Sequence, residues 1–120
     1  MAALDGKNAL VTGAGGGIGA DYAKHLASLG ATVLVADINE PGAKSVAEEI
    51  AEGGGSAIGL AVDVTDEESI KTLVTAAAEH GGLDVLVNNA ALYKGMTIAP
   101  VEELDLAHWR RMMDVNVTGV

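Results

Sequence analysis

The 120-residue sequence has no cysteine and no phenylalanine, and only two prolines, one tryptophan and two tyrosines. Without cysteine there are no disulfides and no thiolate metal sites. With so few aromatics, the core has to be packed from Ala, Val, Leu and Ile, which suits helices lying close on a sheet. Basic residues are also scarce: 7 Lys and Arg against 17 Asp and Glu leave a formal net charge of −10. That balance argues against nucleic acid or an anionic membrane surface as a partner, since both need clustered Lys/Arg. It does not argue against a ligand whose phosphates are met by backbone amides. No apolar run approaches membrane-spanning length. Asp5 and Lys7 precede the first apolar run, so no signal peptide is visible, and a cytoplasmic protein is the expectation. His25, His80 and His108 are scattered at no ligand spacing; they read as solvent-facing or capping residues, and no metal site is expected.

What the sequence has in abundance is glycine, 16 residues in all, and the densest cluster organises the rest. A short apolar run (Ala9, Leu10, Val11) ends at Thr12-Gly13-Ala14-Gly15-Gly16-Gly17-Ile18-Gly19, after which a helical pattern begins. Strand, glycine turn and helix together aim free N–H groups and a helix dipole at a phosphate. Gly13 and Gly17 permit positive φ, and Gly19 lets the helix lie close to the strand. No lysine is required, because the amides and the dipole (about 0.3–1 kcal/mol) meet the anion. A P-loop is excluded, since Ala20-Asp21 follows Gly19 in place of Lys and Ser/Thr.

Strands and helices then alternate, which predicts a parallel sheet covered on both faces. The first helix is expected from about Ile18 to Leu29, with Tyr22, Ala23, Leu26 and Leu29 on one side and Gly30 ending it. Thr32–Ala36 reads as a strand buried on both faces. Asn39 is a candidate N-cap, with Pro41 in the first turn of a helix that buries Ala43, Val46, Ala47 and Ile50. Gly53-Gly54-Gly55 is a connector before a third strand, Ala57–Val62. Thr65-Asp66-Glu67-Glu68 reads as a capping box for a helix with Ile70, Leu73, Val74 and Ala77 inward. Leu83–Val87 is the fourth strand. An irregular segment from Ala90 to Leu104 precedes a last helix beginning near Asp105, with Leu106, Trp109, Met113, Val117 and Val120 at helical spacing. Trp109, Met112 and Met113 read as core or interface packing.

Asp37 ends the second strand, eighteen residues after Gly19. In a doubly wound sheet this position lies beside the phosphate turn, at the adenosine ribose. A carboxylate there accepts hydrogen bonds from both ribose hydroxyls. A 2′-phosphate would lose those bonds and meet a repulsion of about 4 kcal/mol at contact distance. Neither Gly16 nor Ile38 supplies a positive charge to offset it, so the expected cofactor is NAD and not NADP. Asp63-Val64 closes the third strand. Asn88-Asn89-Ala90-Ala91 closes the fourth, where two adjacent amides need partners if buried.

Thr12–Gly19, written T-G-x-x-x-G-x-G, resembles the glycine motif of the short-chain dehydrogenase/reductase family, and three later segments agree with it in order and spacing. The resemblance implies a Rossmann-type doubly wound α/β fold over residues 1–120, with strand order 3-2-1-4. It implies cofactor contacts from Thr12, Gly13, Gly15, Gly16, Gly17, Ile18 and Gly19, from Asp37 and Ile38, and from Asp63 and Val64 at the adenine. Asn89, Ala90 and Ala91 match the family's Asn-Asn-Ala-Gly motif, with Ala91 where glycine is usual. Asn116 aligns with the Asn of the family's catalytic set, taken to hold a water that passes protons to the active-site lysine. The family's Tyr with Lys four residues later is absent: Leu26 follows Tyr22 at that distance, and Thr97 follows Tyr93.

These 120 residues therefore read as the cofactor half of an NAD-dependent oxidoreductase acting on a small secondary alcohol or ketone. The family usually forms dimers or tetramers, so a homo-oligomer is implied for the complete chain. Leu92–Leu104 is expected to border the substrate cleft, with Tyr93, Met96 and Ile98 forming a partly apolar wall. Strand four would leave an unpaired apolar edge, and the isolated stretch is expected to be marginal or to associate. Two other readings are open: a non-catalytic NAD-binding module, and a methyltransferase-type fold that binds S-adenosylmethionine.

Overall fold

The structure is a computed structural model that describes residues 1–96 and 98–120. Four parallel strands, β1 (Asn8–Thr12), β2 (Thr32–Asp37), β3 (Ser56–Ala61) and β4 (Val85–Val87), form one sheet in the order β3-β2-β1-β4. Helices α1 (Gly17–Ser28), α2 (Glu40–Glu52) and α3 (Glu67–Glu79) connect them, and α4 (Leu106–Met113) follows β4 after a short 3-10 turn at Val101–Glu103. This is the α/β doubly wound arrangement, with the strand order expected from the sequence. Its register pairs Leu10 with Leu34 and with Leu86, and Val35 with Gly59.

Alternate strand residues point to opposite faces, and the two faces hold separate cores. On one, Ala9, Val11, Val33 and Val35 meet Ala23 and Ala27 of α1 and Ala43, Val46, Ala47 and Ile50 of α2. On the other, Leu10, Leu34 and Ala36 meet Val62 and, from α3, Leu73 and Ala77. With no phenylalanine available, the contacts are mostly alanine to branched aliphatic. Small side chains of this kind let a helix backbone come close to the sheet.

Several local expectations change. In α1 the buried residues are Gly19, Ala20, Ala23 and Ala27, whereas Tyr22 is 49% exposed. The small residues choose the face, because the glycine turn brings α1 too near the sheet for a ring. In α3 the cap is Asp66, which accepts from the Glu68 N–H at 3.0 Å, and not Thr65, whose hydroxyl donates to Asp63. The apolar stripe of α3 is wider than the sheet surface it meets, so Val74 (62% exposed) faces solvent and Ile70 (37%) is only partly covered, beside the buried Leu73 and Ala77. Strand β4 is only three residues long, with Leu83 and Leu86 exposed. Among the described residues its outer edge is unpaired.

No residue of α4 is buried. Trp109, expected in a core or an interface, is 52% exposed within this chain. Instead of continuing regularly, α4 widens into a π turn at Asp114–Thr118. His108 also departs from expectation: it is half-buried, and its Nε2 lacks a hydrogen-bond partner among the described residues. Among the described residues, no helix is long and apolar enough to cross a membrane.

Candidate functional site

The carboxyl ends of the four strands open onto a cleft of about 540 Å³, lined by the glycine turn, Asp37, Ile38, Asp63, Val64 and Asn89–Lys94. The site begins with a difference among the helices. Helices α2, α3 and α4 are capped at their N-termini by the side chains of Asn39, Asp66 and Asp105. Helix α1 starts from Gly16, which has no side chain to offer, and no cap bond is made. The first N–H groups of a helix have no intrahelical partner, so Gly17, Ile18 and Gly19 present donors toward the cleft. A diphosphate fits such a set of donors: it supplies the acceptors the sequence withholds, at the positive end of the helix dipole.

The turn is held from behind by its neighbour strand. Thr12 is buried, and its Oγ1 accepts from the N–H groups of Asn89 at 3.1 Å and Ala90 at 3.0 Å. The Asn89 side chain returns the contact, its Nδ2 donating to the Thr12 and Gly13 carbonyls at 3.1 and 3.2 Å. Gly13 (φ +66°) lies so close to this strand end that a Cβ would stand 2.8 Å from the Ala90 Cα. Thr12 is thus a fastening behind the cleft and not one of its lining residues. Of the adjacent pair, only Asn89 has this bonded role; Asn88 is exposed. Ala91 needs no positive φ, since no described non-glycine residue adopts one, so the alanine carries no strain.

Replacing Asn89 by alanine leaves two strand-end carbonyls without their donor. At about 1 kcal/mol for each hydrogen bond, we expect roughly 2 kcal/mol of destabilisation, read as a lower midpoint in urea with an unchanged slope. An unchanged midpoint would mean that the turn is held by its own glycines.

Asp37 stands at the rim of the turn. Its Oδ2 accepts from the Gly15 N–H at 2.8 Å and its Oδ1 from the Asn39 N–H at 2.9 Å. A carboxylate has about four acceptor positions, so both oxygens keep capacity for a ligand's hydroxyls. Ile18 and Ile38 flank the cleft with exposed apolar side chains. At the end of β3, Asp63 Oδ1 accepts from the Thr65 hydroxyl at 2.6 Å and the Thr65 N–H at 2.9 Å. Those two bonds hold its carboxyl below the usual range, and the Arg111 guanidinium adds a smaller push the same way. Val64 packs against the end of the π turn, where a Cβ on Gly119 would lie 2.8 Å from Val64 Cγ2.

Asn116 lies outside the cleft lining. Its Oδ1 accepts from the Leu92 N–H at 2.7 Å, and its Nδ2 donates to the Leu92 carbonyl at 3.0 Å. The side chain therefore clamps the segment after β4 to the π turn. Leu92 and Tyr93 line the cleft as expected, while Met96 and Ile98 are exposed and lie apart from it; Thr97 is outside the described residues. Asn39, Lys94, Arg111 and Val115 line the cleft without having been singled out as site residues. Only the charge of Lys94 and Arg111, rare in this sequence, could have flagged them. Among the described residues, no group of three or more His, Cys, Asp and Glu could hold a metal ion.

A doubly wound sheet with an amide-lined glycine turn at its first crossover and an acidic residue after its second strand defines a dinucleotide-binding α/β protein. The family model for short chain dehydrogenases matches residues 7–120, and the chain belongs to that family, whose members use a nicotinamide cofactor. It is 48% identical over 113 residues to cis-4-hydroxycyclohexanecarboxylate dehydrogenase of Sinomonas cyclohexanicum, covering 93% of this chain and 44% of that one. It is 42% identical to D-threitol dehydrogenase of Mycolicibacterium smegmatis, over 97% of this chain and 44% of the relative. A hydroxysteroid dehydrogenase from Escherichia coli superposes with a TM-score of 0.85 at 40% identity, covering 97% of this chain and 48% of that structure. The chain spans about half the length of the curated relatives it matches. The methyltransferase-type alternative is set aside by the family match.

Proposed function

We propose that this chain is the NAD-binding part of a dehydrogenase that passes hydride between a small secondary alcohol or ketone and the nicotinamide. The observation that carries the reading is the carboxylate of Asp37, fixed by the Gly15 and Asn39 amides at the carboxyl end of β2. Fixed there, it is oriented for the 2′- and 3′-hydroxyls of the adenosine ribose and against a 2′-phosphate. The amides of Gly17, Ile18 and Gly19 would hold the pyrophosphate. Ile18, Ile38, Asp63 and Val64 would border the adenosine half, where exposed apolar side chains gain by being covered by a ring.

When bound, the cofactor supplies the hydride acceptor or donor. This chain's own residues would hold it in place and stabilise its diphosphate charge through backbone amides, without a lysine. Asn116 and Leu92 fix the backbone beside the nicotinamide end; Asn116 acts there as a positioning residue, since both ends of its amide are engaged by Leu92. Neither Tyr22 nor Tyr93 has a lysine four residues on, so proton exchange with the substrate oxygen belongs, in this reading, to sequence outside these 120 residues. Relatives named for 4-hydroxycyclohexanecarboxylate and threitol support a hydroxyl-bearing small molecule as substrate. A homo-oligomer and a cytoplasmic location complete the proposal.

Calorimetric titration of the intact enzyme with NAD and with NADP tests it. Repulsion of about 4 kcal/mol between a fixed carboxylate and a contacting phosphate corresponds to NAD binding at least 100-fold tighter. Equal affinity for the two, or affinity for neither, would overturn the assignment. NAD binding by a complete protein that oxidises no alcohol would mark it instead as a non-catalytic NAD-binding module.

A further inference from the structure

The chain holds five lysines, and four are paired with carboxylates. Lys7 faces Asp84 at 3.8 Å, Lys24 faces Glu49 at 2.5 Å, Lys44 faces Glu40 at 2.8 Å, and Lys71 faces Glu67 and Glu68 at 3.1 and 3.2 Å. Lys94 is the exception. Among the described residues no carboxylate oxygen lies within 4.0 Å of its ammonium, and it lines the cleft. In a chain with a net charge of −10, an ammonium kept clear of carboxylates at a site is worth explaining.

Its place in the sheet order says which part of the cleft it serves. Asp63 follows β3, Asp37 ends β2, the glycine turn follows β1, and Leu92–Lys94 follow β4, in the order β3-β2-β1-β4. A dinucleotide with its ribose at Asp37 and its diphosphate at the start of α1 directs its other half toward β4. Lys94 therefore stands where the substrate must approach, and it sits on a segment that Asn116 holds by both amide atoms. Arg111, also in the lining, makes no ion pair within 4.0 Å among the described residues either, but its charge is felt by the carboxylate of Asp63, beyond β3. Along the cleft, Asp37 and Asp63 stand toward β2 and β3 with Arg111 near Asp63, and Lys94 is the cation on the β4 side with no acidic residue in the lining beside it.

We infer that Lys94 is a specificity-determining residue for an anionic group on the substrate, so that the preferred substrates are hydroxy or oxo carboxylates. The inference rests on the dehydrogenase reading above and names its substrate class. A carboxylate brought next to Lys94 gains a charge-assisted hydrogen bond and is kept from the adenosine end by Asp37 and Asp63. A neutral alcohol gains neither.

The test uses the intact enzyme saturated with NAD, titrated with cyclohexanecarboxylate and with its neutral counterpart cyclohexanecarboxamide. The wild type is expected to prefer the carboxylate by at least tenfold. Lys94→Met should weaken the carboxylate roughly 10- to 100-fold and leave the carboxamide within about twofold, erasing the preference. Lys94→Arg should retain most of it. A wild type that binds the two alike or binds neither, or a preference that survives in Lys94→Met, overturns the inference. So does a loss of NAD affinity in Lys94→Met, which would place the lysine on the cofactor's phosphates. Failure of the wild type to bind NAD takes down the dehydrogenase reading as well, whereas NAD binding without carboxylate preference removes Lys94 alone.

Discussion

Changing Gly19 to alanine is expected to destabilise the protein by about 2 kcal/mol and to weaken NAD binding at least tenfold. Two effects oppose each other. Gly19 lies inside α1, where alanine is the better helix former by about 1 kcal/mol. Its new Cβ, however, would run into the Gly13 carbonyl oxygen and would stand 2.5 Å from the Asn89 Nδ2 and 3.0 Å from the Ala14 Cα. None of these atoms can give way cheaply. Two are backbone in the turn, and the third is tied to two carbonyls. Overpacking against a rigid neighbour costs about 1–3 kcal/mol and occasionally more, so the clash outweighs the helix gain. Relief comes only by moving the turn, which misaims the amides intended for the diphosphate. Thermal unfolding should show a drop of roughly 5–10 °C. Gly53→Ala is the control, because its Cβ would make only ordinary contacts at 3.5 and 3.6 Å and its cost should stay within about 0.5 kcal/mol. If the two variants melt together, the turn is looser than its contacts imply.

Removing the negative charge of Asp37 should largely abolish discrimination between NAD and NADP. Each hydrogen bond between a carboxylate and a ribose hydroxyl contributes about 1.5–3 kcal/mol, so Asp37→Ser is expected to weaken NAD roughly 10- to 100-fold. NADP, freed from repulsion, should bind better than it does to the wild type. Serine also gives up the contacts to Gly15 and Asn39, and part of the NAD loss will come from a less ordered turn. Asp37→Asn separates the two contributions. It keeps an acceptor oxygen for one of the two amides, so its melting temperature should fall less while discrimination against NADP is still largely lost. Titrations that leave NAD affinity within threefold of wild type in both variants would place the ribose elsewhere.

The site was legible in the sequence where it depends on near neighbours along the chain. Five glycines within seven residues can only be a turn, and a helix that begins there without Ser, Thr, Asp or Asn as its cap leaves its amides open. Asp37 could be placed because it is the last residue of its strand and so stands at the carboxyl end of the sheet, where the cleft opens. Asn39 as a cap, and Ala43, Val46, Ala47 and Ile50 as a buried stripe, were legible for the same reason. Periodicity was a poorer guide to what covers a face. Val74 shares the stripe of Leu73 and Ala77 yet stands in solvent, and Ile70 is only partly covered, because helical spacing marks an apolar side without saying how much sheet lies beneath it.

By itself, then, the sequence determined the alternation of strand and helix, the strand-end turn stripped of side chains, and the acidic residue one strand further on. All of these follow from local backbone sterics and repeat spacing. Only the tertiary structure decided that Thr12 receives Asn89 and Ala90 from 77 and 78 residues away. It also decided that Asn116 spends its amide on Leu92, and that Lys94, unlike the other lysines, faces a cleft instead of a carboxylate. Such pairings arise when parallel crossovers bring distant strand ends to one edge of the sheet, and no spacing along the chain encodes which side chains then meet.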